Sequence, residues 1–234
     1  GGWRIDGRKQ WISGAHEADV VLVMAVTDPN RRGRGRISAF LVPRGTPGMT
    51  VTRVETTIGS AAIALADLAF DACVVPDDAL LGEAGQGFAI AMGSLTHGRL
   101  GVSAACIGAA DRLLSLSVDF AKQRQTFGAP LADRQAIQWM LADSAVEIET
   151  ARAFTYDVLR RHTAGDELGP AASMAKLYCS EMVGRVADRA VQIHGGAGLV
   201  RGEVERFYRD IRHYRVGEGA SEIQRMLIAR SLLS

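Results

Sequence analysis

The chain has 234 residues, of which 47% are hydrophobic and 23% charged. A chain of this length buries roughly 70–75% of its unfolded surface as one large domain or two small ones, and the composition excludes a disordered or collagen-like protein. Lys and Arg number 27 against 26 Asp and Glu, a net charge of +1, so no global field draws the protein to nucleic acid or to an anionic membrane. Cys73, Cys106 and Cys179 are widely spaced among apolar residues and read as buried thiols of a reducing compartment, neither disulfides nor metal ligands. No apolar run approaches the roughly 18 residues of a membrane helix.

The chain opens Gly1-Gly2-Trp3 without Met or a signal-peptide pattern, and its first residues are already strand-like. A segment preceding residue 1 in the intact protein is expected. Trp3-Arg4-Ile5 and Lys9-Gln10-Trp11-Ile12 flank Asp6-Gly7, which predicts a hairpin because Asp-Gly suits two positive-φ turn positions. Val20–Val26 and Ile37–Val42 are β-branched runs of strand length. The stretches 50–54 and 65–70 alternate, with turn chemistry at Asp28-Pro29-Asn30, Gly33, Gly35, Gly45 and Pro47-Gly48. Strand after strand without intervening helices predicts an antiparallel sheet.

After Pro76 the period lengthens. Ile107, Leu114 and Val118 form one helical stripe, and Cys106, Ala110, Leu113 and Phe120 a second on the same stretch. A helix apolar on more than one side packs between other helices. Ile137, Leu141, Ile148, Thr155 and Leu159 mark a second helix ending near Gly165. Met174, Tyr178, Met182, Val186, Ala190 and Ile193 mark a third, stopped by Gly195-Gly196. A last helix spans Ser221 to Leu233, with Ile223, Leu227 and Leu232 expected inward. The expected class is α+β: an antiparallel β-domain over residues 1–80, then an up-down four-helix bundle over 81–234.

The stretches that could carry chemistry are few. Arg31 to Arg36 is the one basic run, and without interleaved aromatics it reads as a solvated loop. Gly82-Glu83-Ala84-Gly85-Gln86-Gly87 has GxxGxG order outside any βαβ unit, so it reads as a flexible linker, not a dinucleotide loop. Gln192-Ile193-His194-Gly195-Gly196-Ala197-Gly198 holds more glycine than a helix stop needs, which leaves close ligand approach and a simple stop as equal alternatives. Arg124-Gln125-Thr126-Phe127-Gly128 suits a phosphate clamp or a charged helix C-terminus. In Gly217-Glu218-Gly219-Ala220-Ser221-Glu222-Ile223-Gln224, Ser221 is the expected N-cap with Gln224 closing a capping box. Glu218 lies upstream between glycines, either an accessible base or a charge favouring the helix start. The five histidines show no metal-ligand spacing.

Taken in order, these segments resemble the acyl-CoA dehydrogenase family. The likeness is carried by Lys9-Gln10-Trp11-Ile12-Ser13, the junction from Val74-Val75-Pro76 to Leu81-Gly82, Gly87-Phe88 and Arg99. It continues through Arg124 to Gly128, Gln135-Ala136-Ile137-Gln138, Gln192 to Gly198, Tyr208-Arg209-Asp210 and Glu218 to Gln224. The resemblance covers most of the family's middle β-domain and its C-terminal bundle; the N-terminal helical domain has no counterpart in this chain. It implies FAD as cofactor and an acyl-CoA thioester as substrate, dehydrogenated to the trans-2-enoyl-CoA. Glu218 is then the α-proton base. Trp11, Ile12 and Ser13 are expected at the flavin ring, and Arg124, Thr126, Gln135, Gln192, Gly195 and Gly196 at FAD phosphates and adenine. Gly219, Ser221 and Glu222 are expected in a further flavin-contacting stretch.

Arg99, Gly217 and Gly219 are the implied substrate-binding residues, with Thr96 in place of the family's usual Asp. The resemblance further implies a homodimer or homotetramer, electron-transferring flavoprotein as acceptor, and a cytoplasmic location (the mitochondrial matrix in a eukaryote). Gly217 and Ala220 replace the Tyr and Thr that commonly bracket the family's base, which implies a wider pocket and a branched, bulky or long acyl group. The alternatives are an acyl-CoA oxidase or flavin monooxygenase on the same scaffold, and a catalytically silent truncated subunit that binds a partner chain.

Overall fold

The computed structural model describes residues 1–60, 64–166 and 168–234, which divide into two compact units, Gly1–Leu95 and Thr96–Ser234. The first unit holds strands β1 (Gly2–Ser13), β2 (Val20–Val26), β3 (Ile37–Pro43), β4 (Met49–Glu55), β5 (Leu65–Pro76) and β6 (Leu80–Leu81). All pair antiparallel, in the orders β1-β5-β4 and β2-β3-β6. Alternation sets the buried set: Val21 and Val23 on β2, Phe40 and Val42 on β3, and Ala66, Leu68 and Phe70 on β5 form one core with Ile5, Cys73 and Val75.

Asp6-Gly7 does not make the expected hairpin. β1 runs unbroken from Gly2 to Ser13 and pairs with β5, with Ile5 opposite Cys73 and Gly7 opposite Phe70. Two residues of β5, Asp71 and Ala72, therefore face Asp6 alone, which is a β-bulge. The Asp6 carboxylate accepts the Ala72 N–H at 2.8 Å, and Ala72 takes φ +46°. The bulge also explains why burial on β5 changes phase, from 66-68-70 to 73-75. An extended partner 66 residues away outcompetes the local turn.

Gly48 sits against that bulge at φ +87°, with its carbonyl accepting the Asp71 N–H at 2.9 Å. A Cβ there would lie 2.8 Å from Cys73 Cα, 2.9 Å from Cys73 N and closer still to the Asp71 carbonyl oxygen. These are backbone atoms and cannot swing away. Gly48→Ala is expected to destabilise the protein by about 3 kcal/mol or more, because backbone strain and overlap add. Chemical denaturation of the two proteins side by side measures it, and a loss under about 1 kcal/mol would refute the claim.

The expected linker at 82–87 is a packed turn. Gly85 N–H donates to Ser38 Oγ at 2.9 Å and Glu83 N–H to Gln86 Oε1 at 3.1 Å. A Cβ on Gly87 would lie 2.5 Å from the Ser38 carbonyl carbon. The glycines there permit close packing, not freedom. The arginine run lies in the β2–β3 connection with Arg31 to Arg34 exposed.

Helix α1 (Gly87–Gln123) leads into the second unit, which holds the short hairpin β7 (Gln125–Thr126) and β8 (Ala129–Pro130), then α2 (Gln135–Thr163) and α3 (Gly169–His194). Two helices follow that periodicity did not predict, α4 (Gly196–Leu199) and α5 (Glu203–Asp210), and α6 (Ser221–Leu233) closes the chain. The bundle core joins Cys106, Ile107, Ala110 and Leu113 of α1 to Ile148 and Ala151 of α2 and to Cys179, Met182, Val183 and Val186 of α3. Val204 of α5 and Ile211 add to it. A bundle of four long helices was expected and is found, with α5 covering one side of α3.

Two expectations are corrected. By length and composition α1 is apolar enough to cross a membrane, with an 18-residue window of mean hydropathy 1.3. Its apolar content is partly accounted for by the bundle core, where Cys106, Ala110 and Leu113 are wholly buried. On α6 the inward residues are Ser221 and Gln224, while Ile223 and Leu232 are exposed. Leu227 of the expected stripe is half-buried, and the helix is anchored to its unit by polar contacts at its start.

Candidate active site

The loop before α6 is built around two left-handed residues in succession, Glu218 at φ +54° and Gly219 at φ +90°. Glycine adopts that conformation freely; for a glutamate it costs of order 1 kcal/mol or more and persists only where neighbours enforce it. Gln224, fully buried, donates through Nε2 to the carbonyls of Glu218 and Gly219, both at 3.0 Å. Lys176 Nζ of α3 donates to the same Gly219 carbonyl at 2.8 Å. The expected capping box is therefore not formed. Ala220 is the N-cap and Ser221 the first helical residue, its hydroxyl donating to Glu181 Oε1 at 2.7 Å. Gln224 reaches back to loop carbonyls because two left-handed residues leave those acceptors turned inward.

The turn holds the Glu218 carboxylate against α1. Oε2 is buried and has no hydrogen-bond partner among the described residues. It lies where only a glycine leaves room, since a Cβ on Gly98 would be 2.6 Å from Oε2 and 3.2 Å from Oε1. Arg99, the next residue, is 7% exposed; its Nη1 donates to Ser173 Oγ at 3.4 Å and its Nε is buried without a partner among the described residues. Burial pushes the Arg99 guanidinium below its usual range, and the nearby Glu218 carboxylate opposes that shift. Burial likewise lowers the Lys176 ammonium, with Cys106, Glu218 and Glu181 pulling it up and Arg99 pushing it further down. A carboxylate with a buried, unsatisfied oxygen among two buried cations is poised to act on something brought to it, because such a group in a resting structure otherwise costs stability.

Of the remaining predicted residues, Gly217, Gly219, Ser221 and Glu222 share this loop and helix start, with Gly217 and Glu222 exposed and the Ser221 hydroxyl turned onto Glu181. Arg124, Thr126 and Gln135 gather at the β7–β8 hairpin. Phe127 (φ +51°) and Gly128 (φ +78°) form its two-residue turn, and Phe127 is fully exposed. Thr126 Oγ1 and Arg134 Nε are buried there without partners among the described residues, while Arg124 and Gln135 are exposed. Gln192, Gly195 and Gly196 lie exposed at the end of α3. Gly195 caps it at φ +56°, and the space where a Cβ would stand on Gly195 or Gly196 is open. Gly198 differs, for a Cβ there would be 2.8 Å from the Val191 carbonyl oxygen, so it serves packing.

In the first unit, Trp11 is the extra residue of a second bulge. Lys9 pairs with Leu68 and Ile12 with Ala66, so Gln10 and Trp11 face Asp67 alone. Trp11 takes φ +57°, its N–H donates to Asp67 Oδ1 at 3.0 Å, and its ring is 65% exposed. Ile12 is half-buried and Ser13 exposed at the strand's end. A bulge re-aims a side chain, and here it turns an indole outward.

Sequence reasoning passed over Lys176, Gly98 and Arg134. Lys176 carried a readable signal, for it stands with Ala172, Cys179 and Val183 on the buried face of α3. A lysine on an inward stripe is seldom there for packing alone.

Comparison with known proteins shows the family and the fold. The family model described as the C-terminal domain of acyl-CoA dehydrogenase matches residues 85–233, and that of the middle domain matches residues 1–73. The mitochondrial short-chain specific acyl-CoA dehydrogenase of Rattus norvegicus is 42% identical over 232 residues, 99% of this chain and 56% of the relative. An acyl-CoA dehydrogenase from Geobacillus kaustophilus superposes with a TM-score of 0.96 at 37% identity, covering 99% of this chain and 61% of that one. The butyryl-CoA dehydrogenase of Megasphaera elsdenii gives 0.94 at 36% identity, covering 100% and 61%. This chain thus spans little more than half the length of such relatives, and within that span it belongs to the acyl-CoA dehydrogenase family.

Proposed function

We infer that Glu218 is the base that removes the α-proton of an acyl-CoA thioester in an FAD-dependent α,β-dehydrogenation. The observation that carries this reading is the buried, unpartnered Glu218 Oε2, held in a left-handed turn against Gly98. A thioester α-proton is weakly acidic, so its base must be close, oriented and shielded from water. Gln224 and Lys176 fix the turn, Gly98 leaves the carboxylate its space, and Gly219 leaves room for Gln224, whose Nε2 would lie 2.6 Å from a Cβ there.

The residues present fit FAD. Thr126 Oγ1 and Arg134 Nε are buried donors lacking acceptors beside the exposed Arg124, which suits phosphate oxygens. The exposed rings of Trp11 and Phe127 suit a flat heteroaromatic ligand. In the second unit, Arg124, Thr126 and Gln135, with Gln192, Gly195 and Gly196, are the candidates for its phosphates and adenine, and Gly219, Ser221 and Glu222 for a further flavin contact; in the first unit, Trp11, Ile12 and Ser13 are the candidates for its ring. When bound, FAD accepts the β-hydrogen with its electron pair. As the α C–H bond breaks, its proton passes to a Glu218 carboxylate oxygen and its electron pair becomes the α,β double bond. Arg99, with its unpartnered Nε, would meet a polar group of the acyl-CoA. Electron-transferring flavoprotein as acceptor and a homodimer or homotetramer complete the reading.

The natural full-length chain, purified with FAD, tests it. Anaerobic addition of an acyl-CoA is expected to bleach the flavin absorption band, and a band unchanged by a panel of straight and branched acyl-CoAs would refute the activity. Gly217 beside the base supports a long or branched acyl group. Butyryl-CoA as clearly the fastest member of the panel would overturn that part.

A further inference from the structure

The segment 216–220 that carries Glu218 runs between the short 3-10 helix Ile211–Arg215 and α6. The residue before it, Arg215, and the residue after it, Ser221, meet on one carboxylate of α3, that of Glu181. Arg215 Nε pairs with Glu181 Oε2 at 3.2 Å, and the Ser221 hydroxyl donates to Glu181 Oε1 at 2.7 Å. Arg215 Nη2 also donates to the Glu181 carbonyl at 3.4 Å. Each oxygen of one side chain thus holds one end of the segment.

The helices on either side give up stability around this contact. Gly184 stands inside α3, where glycine costs about 1 kcal/mol relative to alanine. A Cβ there would lie 2.8 Å from Arg215 Cζ, 3.2 Å from its Nε and closer still to its Nη2, so the guanidinium occupies the room that the missing side chain leaves. α6 begins at Ala220 without a side-chain cap, although a serine, asparagine or aspartate at that position contributes about 1 kcal/mol. The hydroxyl one residue on is turned to Glu181 instead. The ion pair itself is half-buried, so desolvation offsets much of its attraction. A contact kept for stability alone would not need a glycine in α3 or an uncapped α6.

We propose that Glu181 is a positioning residue for Glu218: its two carboxylate oxygens pin residues 215 and 221 to α3, with Gly184 seating the Arg215 guanidinium, and so fix where the turn between them presents its carboxylate. This rests on the reading of Glu218 as the base. Gln224 shapes the turn through the 218 and 219 carbonyls, whereas Glu181 sets where the turn sits. A base on a segment with loose ends samples many positions, and few of them meet the reacting atoms.

The test uses the natural full-length protein loaded with FAD and follows anaerobic flavin bleaching by the fastest acyl-CoA of the panel in wild type, Gly184→Ala, Glu181→Gln and the double variant. In Gly184→Ala the new Cβ meets the far end of a flexible side chain, so Arg215 swings away from Glu181 while α3 gains helix propensity. Tm is expected to hold or rise and the flavin spectrum to stay intact, while kcat falls about tenfold with KM changed less than about twofold. A contact that serves only stability predicts the reverse, so a raised Tm beside an unchanged kcat overturns the proposal. Loss of the flavin spectrum in Gly184→Ala also overturns it, because the contact then serves binding.

Glu181→Gln is expected to lose about tenfold as well, and the double variant to be no more than about twofold slower than Glu181→Gln, since the seat matters only through the carboxylate. Losses that multiply overturn the shared role. Gly184→Ala decides the proposal even where Glu181→Gln fails to fold. Bleaching retained in Glu218→Gln removes the base and this proposal with it. Bleaching lost in Glu218→Gln beside wild-type rates in Gly184→Ala and Glu181→Gln overturns the role of Glu181 alone.

Discussion

Glu218→Gln in the full-length, FAD-loaded protein is expected to leave the flavin spectrum intact while lowering the rate of bleaching by acyl-CoA about 10⁴-fold or more. The substitution keeps side-chain length and shape, so the left-handed turn and its bonds from Gln224 and Lys176 to the 218 and 219 carbonyls stay as they are. What changes is basicity. A carboxamide cannot accept a proton near neutral pH, and loss of the group that takes the proton removes an interaction realised in the transition state. The effect therefore falls on kcat and kcat/KM together, with KM little altered. Stopped-flow bleaching under anaerobic conditions measures it. Bleaching within tenfold of wild type would place the base elsewhere, and loss of the flavin spectrum itself would mean the residue serves binding instead.

The carboxylate could be singled out from sequence because it lies between two glycines in a segment no regular element claims. Its setting could not. Gln224 sits at capping-box spacing from Ser221, and local chemistry favours that box; what defeats it is two left-handed residues whose carbonyls face inward and need a donor. Lys176 lies 43 positions from the oxygen it holds, and Gly98 is 120 positions from Glu218 (218 − 98). Neither pairing leaves any trace in local periodicity.

The same contrast runs through the fold. Strands and long helices were legible because burial on one face imposes periods of two and of about 3.6. Asp6-Gly7 misled because its meaning depends on β5, which supplies the two residues opposite Asp6 and the N–H its carboxylate accepts. The apolar stripe of α6 misled for the reverse reason. Its spacing is helical, but the buried side is set by Ser221 and Gln224, polar residues that an apolar count ignores. Errors thus cluster where a distant polar partner decides the geometry, and those are also the places that shape Glu218.

Gly98→Ala isolates that geometry from chemistry. Alanine is the best helix former and glycine among the poorest, so within α1 the change favours the helix by up to about 1 kcal/mol. The atoms that the new Cβ meets are Glu218 Oε2 at 2.6 Å, the carboxyl carbon at 2.9 Å and Oε1 at 3.2 Å. All belong to the far end of a flexible side chain, so the overlap is relieved by swinging the carboxylate aside. Stability is expected to hold within about 1 kcal/mol of wild type or to rise slightly. Activity moves the other way, because displacing a base by about an ångström costs on the order of 10²-fold when the reacting atoms must meet in one geometry. The signature is a Tm unchanged or raised, an intact flavin spectrum, and a bleaching rate reduced about 100-fold. A bleaching rate equal to wild type would show that the carboxylate works from a position Gly98 does not control. Gly98→Ser is the companion variant, with the same Cβ and a hydroxyl able to donate to the displaced carboxylate, and it is expected to be no faster than Gly98→Ala.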